Sequence, residues 1–510
     1  AVAQPAAPPR SAVIRHQPPT PKDPMTDITP RIIDCFRTIN TIPRCSKNEA
    51  RISAWLCRWA AAHGLDFQQD PAGNVVIRVP GIPQPATGPP VVIQGHMDMV
   101  CEKTADSAHD FTTDPIQTIT TGEWLRAAGT TLGADNGIAL AMALTLAAES
   151  RAPRPPLELL FTVDEETGLT GAHQLEAGFI QGRTLLNLDS EVEGVLTVGC
   201  AGGCDTEISL PLAPEGLPAE LAVADLAVEG LRGGHSGVDI HEQRANAIAL
   251  LARCLKPAAA CGADRLVGLE GGNARNAIPR RAVCRLACRP EAIPQLTALA
   301  ARMESVLRDE CRELEPDLRV VLTLAEGPAA GAKGLSAAQS ARVRRLLSAL
   351  PHGVQGMSRV FAGLVETSNN LATVALEDGQ LKVVTSQRSN VMSHLEEISA
   401  KIEAVCALAG ARSTRRNAYP AWQPDLDSPL LSRCREVYQG LFHRAPEVAV
   451  IHAGLECAVI GDRFPGMDMI SFGPTIENLH SPAERLHLPS LGRVWAFLSA
   501  LLTALAPGAK

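Results

Sequence analysis

The sequence predicts an α/β protein: a mixed, mostly parallel sheet flanked by helices, interrupted by an inserted second domain and then resumed. Three observations predict it. Short apolar runs alternate with amphipathic segments, as buried strands do between helices. Those runs end abruptly in His, Asp or Glu. The middle of the chain keeps the β-helix-β alternation but lacks such strand ends.

Taken in order, Ile32, Ile33, Phe36 and Ile39 recur at helical spacing, and Ile52, Leu56, Trp59 and Ala60 form a second stripe. Strands are expected at 74–79 and 90–94, a small-residue helix at 137–148, and buried strands at 157–163 and 184–188. The character changes around Gly202. Beyond it, 221–230 reads as a strand, 244–255 as a helix, 266–286 as strand pairs, 290–314 as a helix and 318–324 as a strand. A helix at 337–350, strands at 360–365, 370–375 and 381–385, and a helix at 392–409 follow. Residues 412–427 hold Pro420 and Pro424 and read as a return linker. The last part offers helices at 429–442 and 490–505 and strands at 448–451 and 467–472.

The expected plan is therefore one domain in two parts, 25–202 and 416–510, around an insert at 203–415. Two such parts should rejoin in one sheet. Residues 1–24 carry seven prolines and no apolar h-region, so they read as a disordered leader or an extension, not a signal peptide. Met25 would be a natural start.

Composition bounds the rest. At roughly 150 residues per domain, the 510 residues suggest two to four domains. Aromatics are only 3%, so the core must be aliphatic, and the net charge of -8 argues against a nucleic-acid partner, whose binding surfaces are basic. No apolar run approaches the ~18 residues of a membrane span, and a cytoplasmic location is expected. The 14 cysteines are scattered and several, such as Cys254, Cys284, Cys288 and Cys406, sit in apolar patterns, so reduced, buried cysteines are expected. Cys200 and Cys204 lack the second close pair of a structural zinc site.

The chemistry gathers where strands end, the usual place for functional groups in open α/β sheets. His96 and Asp98 follow one strand; Asp135 sits in a glycine-flanked turn before a helix; Asp164, Glu165 and Glu166 end another strand; Asp189 ends a third; and His480 follows the loop 471–474. Singly, each has an ordinary reading as a loop residue, N-cap or solvated turn. Together, so many charges at one sheet edge would repel unless cations sit among them. Two imidazoles and three carboxylates suit zinc, cobalt or manganese. Five ligands serve two open sites if one carboxylate bridges. Asp98 is placed to orient His96. Glu165, adjacent to a ligand yet free, fits a general base for metal-activated water.

The ordered phrases Gly95-His96-Met97-Asp98, Leu132-Gly133-Ala134-Asp135-Asn136-Gly137, Asp164-Glu165-Glu166-Thr167-Gly168, Asn187-Leu188-Asp189-Ser190, Gly233-Gly234-His235-Ser236-Gly237, Asn276-Ala277-Ile278-Pro279-Arg280 and His452-Ala453-Gly454-Leu455-Glu456 resemble the co-catalytic di-zinc metallopeptidases that include carboxypeptidase G, peptidase V and carnosinase. Within that family they are most similar to the aminoacyl-histidine (Xaa-His) dipeptidases, also called peptidase D. The resemblance spans about Thr26 to Pro507.

The resemblance implies a hydrolase of dipeptides, with a broader small-peptide range open. It implies two divalent ions, Zn2+ first and Co2+ or Mn2+ as alternatives. His96, Asp135 and Asp189 would hold one ion and Asp135, Glu166 and His480 the other. Asp98 and Glu165 would be the catalytic pair. The insert would be a lid of ferredoxin-like βαβ units and the site of homodimer contacts. His235 would stabilise the oxyanion, Arg388 would anchor a terminal carboxylate, and Asn276 and Gly473 would touch substrate. An N-acyl amino acid deacylase or carboxypeptidase on the same scaffold is the alternative, and a metal-binding protein without turnover is the alternative from another class.

Overall fold

The computed structural model describes residues 28–83, 88–149, 151–325, 332–506 and 508. The expected leader and Met25 lie outside these residues.

Apolar runs of the first and last parts of the chain meet in one 8-stranded sheet. Its order is Asp66–Gln69, Val75–Val79, Leu157–Thr162, Val91–His96, Thr184–Asn187, Asp468–Ser471, Val195–Cys200 and Glu447–Ile451. The middle strands, from Leu157–Thr162 to Asp468–Ser471, are mutually parallel, while Asp66–Gln69 and Val75–Val79 join antiparallel at one side. Alternate side chains leave opposite faces. Val75, Ile77, Ile93, Leu159 and Phe161 enter one core, and Val76, Val92, Leu160 and Leu185 enter another. The first core takes the helices Thr29–Ile39, Ala50–Ala62, Ala134–Glu149, Pro429–Phe442 and Leu488–Ala504; the second takes Glu456–Arg463. Burial on both faces is why these strands read as continuous apolar runs.

Residues beyond Ala201 build a second sheet of 9 strands. Its main path runs Arg319–Leu324, Ala222–Glu229, Ala282–Cys288, Arg265–Gly271, Val365–Glu377, Gln380–Ser389, Gly202–Pro211 and Arg412–Tyr419, and every pairing is antiparallel. The helices Ala247–Ala260, Ile293–Cys311, Ala337–Ala349 and Met392–Ala409 share its core. Their starts are written locally. The Asn246 side chain accepts from the backbone of Ile248 and Ala249, and Ser336 with Gln339 makes a reciprocal cap.

Three expectations need correction, and one small sheet was not foreseen. Residues 412–419 are not linker: Arg412–Tyr419 pairs with Gly202–Pro211 at the sheet edge. An edge strand carries polar and charged side chains, so it does not look like a buried one. The strand expected at 360–365 is a loop, with Val360 72% exposed, and Val365–Glu377 runs unbroken through the stretch expected to start at 370. Thr118–Thr121, Trp124–Ala127, Ile476–Glu477 and Arg485–His487 form a separate 4-stranded sheet. Strands that short show almost no periodicity. Finally, the cysteines are not all free. Met99 N–H donates to Arg44 C=O, laying two segments side by side, and Cys45 and Cys101 form a disulfide across them with Cα atoms 5.7 Å apart. Among the described residues, no helix is long and apolar enough to cross a membrane.

Candidate metal centre

Three neighbouring parallel or linked strands deliver their ends to one edge. Val91–His96 ends on His96, Leu157–Thr162 runs into Asp164, Glu165 and Glu166, and Thr184–Asn187 runs into Asp189. Ala134–Glu149 starts there with Asp135 in its first turn. His480 arrives from the loop between Ile476–Glu477 and Arg485–His487. Asn136 ties the edge together: its Oδ1 accepts from His96 N–H at 3.3 Å, and its Nδ2 donates to Leu188 C=O at 3.0 Å. A Cβ on Gly95 would overlap that Asn136 oxygen, so this close approach needs glycine.

His96 Nε2 lies 3.1 Å from Asp135 Oδ1 and 3.3 Å from Asp189 Oδ1. His480 Nε2 lies 3.1 Å from Asp135 Oδ2 and 3.2 Å from Glu166 Oε2. Asp135 thus offers one oxygen to each triad. Both triads, His96–Asp135–Asp189 and Asp135–Glu166–His480, have their donor atoms within 4.8 Å of one another. His96 and Asp189 are buried, whereas the His480 side chain is 52% exposed, so the second triad opens to solvent.

The charge distribution at this edge suits bound cations. Glu166 Oε1 is buried with no hydrogen-bond partner. Burial disfavours the His96 imidazolium, yet Asp189, Asp135 and Asp98 outweigh it and hold the pKa well above the ordinary value. Burial lowers His480 too, but Asp135 and Glu166 push it up to about 11. Asp135 is displaced the other way: burial raises it, and the two imidazoles hold it below the usual carboxylate range. Both imidazole shifts have one cause: the clustered carboxylates favour positive charge between them. A mixed nitrogen and oxygen donor set with a shared carboxylate suits divalent ions of the zinc class.

Asp98 is fully buried. His96 Nδ1 lies 3.3 Å from its Oδ1, an ion-pair contact that is not aligned as a hydrogen bond. Its oxygens accept from the backbone N–H of Glu165 at 3.0 Å and of Glu166 at 3.2 Å, and from Ser46 Oγ at 2.8 Å. Asp98 therefore sets the turn that presents both glutamates. Burial raises Glu165 well above the ordinary carboxylate value; His96 opposes this and Glu166 adds to it.

Three buried residues beneath the edge had no role assigned from the sequence. Glu484 accepts from the backbone of Leu132 to Asp135. Arg44 donates to the carbonyls of Met97, Asp98 and Gly133. Glu456 accepts from Gln94 Nε2 and Thr162 Oγ1, both at 2.6 Å, and burial pushes it up to about 7. Glu456 stands in a quoted motif, but nothing local distinguishes Arg44 or Glu484 from surface charges.

The other candidates come from three places: Arg388 from the second sheet, His235 and Asn276 from a separate two-stranded ribbon, and His452 and Gly473 from loops after strands of the first sheet. His235 lies in the short strand Gly234–His235, which pairs with Ala277–Ile278. Its Nδ1 accepts from Val238 N–H at 3.0 Å and Gly237 N–H at 3.3 Å, so Nε2 carries the ring's proton. Burial and then Arg388 lower its pKa to about 4, which keeps the ring neutral. Asn276 is exposed, and its carbonyl accepts from Ser236 N–H at 2.8 Å. Arg388 Nη1 donates to Tyr419 at 2.9 Å while its buried Nε has no partner. His452, not singled out before, joins this basic cluster: Nε2 meets Ser368 Oγ at 2.8 Å, and burial, Arg388 and His235 lower it to about 3. Gly473 packs on the Ser190 carbonyl, where a Cβ would overlap it.

Comparison with known proteins agrees with this architecture. The family described as peptidase family M20/M25/M40 matches residues 92–504. The cytosol non-specific dipeptidase of Escherichia coli (strain K12) is 41% identical over 470 residues, covering 92% of this chain and 96% of that one. The crystal structure of aminoacylhistidine dipeptidase from Vibrio alginolyticus superposes with a TM-score of 0.80 at 39% identity, covering 94% of this chain and 96% of that one. Aminopeptidase PepT from Bacillus cereus ATCC 10987, at 15% identity, TM-score 0.57 and coverage of 94% and 98%, shares the fold.

Proposed function

The chain belongs to peptidase family M20/M25/M40, a family of metal-dependent hydrolases, and from that premise we propose that it cleaves dipeptides with free carboxyl termini, Xaa-His among them. The observation that carries this reading is Asp135, one oxygen toward His96 and the other toward His480. His96, Asp135 and Asp189 are assigned to one divalent ion and Asp135, Glu166 and His480 to the other, with zinc the best match to the donors. When bound, such ions acidify water and polarise a peptide carbonyl.

The rest is work for the chain's own side chains. Asp98 holds the turn that aims Glu165. Glu165 removes a proton from the attacking water and returns it to the leaving amine. His235, neutral and carrying its proton on Nε2, donates to the developing oxyanion. Arg388, with a buried Nε lacking a partner, pairs with the substrate's terminal carboxylate, and Asn276 and the Gly473 loop border the peptide.

In this reading residues 25–202 rejoin the last part of the chain as the catalytic domain, and the second sheet is a lid whose return falls after Tyr419. A homodimer joined through that lid and a cytoplasmic location complete it. The Cys45–Cys101 bridge is unusual for a reducing compartment, and mass analysis without reductant measures it directly.

Elemental analysis of purified protein, combined with turnover of β-Ala-His, Gly-His, Cys-Gly, Leu-Gly-Gly and N-acetyl amino acids, tests the proposal. Metal-dependent cleavage of the dipeptides is expected. Preferential cleavage of the N-acetyl amino acids would replace it with the deacylase reading.

A further inference from the structure

Glu484 is only 2% exposed, and its carboxylate gathers four consecutive backbone N–H groups: Leu132 at 2.7 Å, Gly133 at 3.0 Å, Ala134 at 2.8 Å and Asp135 at 3.4 Å. The carbonyls of the same loop are held from the other side. Asn40 Nδ2 donates to Leu132 C=O at 3.0 Å, and Arg44 Nη2 donates to Gly133 C=O at 2.6 Å. Arg44, also 2% exposed, continues to Met97 C=O and Asp98 C=O, both at 3.1 Å. A Cβ on Gly133 or Gly137 would overlap the Arg44 guanidinium, so the loop is shaped around it.

We propose that Glu484 is a positioning residue that fixes Asp135 between the two ion sites and couples it to His480, an inference that rests on the ligand assignment above. Three features argue for it. A fully buried Glu is rare unless its charge is matched, and ending a helix needs only a neutral cap. Glu484 spans the one loop whose side chain is common to both triads. It also belongs to the His480 loop, closed by its own N–H to Ser481 C=O at 3.0 Å, so moving Glu484 moves a ligand of the second triad along with the shared one.

The amide of a glutamine keeps the shape but aims a donor at backbone donors. Glu484→Gln is expected to hold fewer than two ions per chain after dialysis. Its metal requirement for activity should rise about ten- to hundredfold, as for other groups that orient ligands, with KM for peptide near wild type. The rise in Tm on adding metal should shrink. Glu158→Gln is the comparison: that buried carboxylate holds Gln181 N–H at 2.8 Å and Gly182 N–H at 2.9 Å at the far end of the Leu157–Thr162 strand. It should lower Tm and keep both ions. If Glu484→Gln does not fold, Glu484→Asp carries the same test with a smaller shift. Wild-type ion affinity in the folded Glu484 variant, or equal ion loss in Glu158→Gln, overturns the proposal. Asp135→Asn retaining both ions would instead overturn the ligand assignment beneath it.

Discussion

His480 Nε2 lies 3.1 Å from Asp135 Oδ2, across 345 positions of sequence. His480 comes from the loop of a small sheet at the end of the chain, and Asp135 from the first turn of a helix near its beginning. The other Asp135 oxygen faces His96. Under the proposed ligand assignment one carboxylate sets the spacing of two cation sites, and removing it should differ from removing either imidazole.

Asp135→Ala is expected to lose both ions, whereas His480→Ala should lose one and keep the other. Elemental analysis after dialysis separates these outcomes. Equal ion content in the two variants would contradict a shared Asp135.

Glu165→Gln should retain both ions and a KM near wild type, while kcat falls about 10²–10⁴-fold, the usual contribution of a general base. Steady-state rates on the best dipeptide measure this. A kcat within a few-fold of wild type would move the proton transfer to another group.

Arg388→Ala should raise KM for dipeptides about ten- to hundredfold, the scale of a lost charged hydrogen bond, with metal content unchanged. Dipeptide amides lack the terminal carboxylate and should not distinguish the variant from wild type. An equal KM rise for acids and amides would mean that Arg388 supports the fold of the cluster instead of binding the carboxylate.

His452 has its pKa lowered from 6.5 to about 3 by burial, Arg388 and His235. The unfolded chain then takes up a proton at a pH where the folded chain does not. The stability this group contributes is full above 6.5 and is lost as pH falls toward about 3. His452→Gln should therefore lose less Tm than wild type between about pH 7 and about pH 4.5. Measuring ion-free protein keeps metal loss out of the comparison. Parallel acid dependence in the two proteins would show that His452 does not titrate in this window.

Much of the site was legible because buried strands carry their own punctuation. The runs at 157–163 and 184–188 are apolar on both faces and stop at acids, so strand and functional end are read in one pass. The helices at 392–409 and 429–442 were legible from apolar periodicity and match Met392–Ala409 and Pro429–Phe442. Arg412–Tyr419 was not legible, because an edge strand is polar. Nor was the sheet that carries His480, whose strands run from 2 to 4 residues.

By itself the sequence determined the α/β class, the residue types at the sheet edge and the family likeness, because strand periodicity and motif order are local properties. Only the tertiary structure decided that Asp135 faces His96 with one oxygen and His480 with the other, and that Glu484 and Arg44 grip its loop from opposite sides. It also decided that His235, Arg388 and His452 form one basic cluster. These relationships join residues far apart in the chain, and the physical reason they escape a sequence reading is that a buried charge looks like a surface charge until its partners are in place.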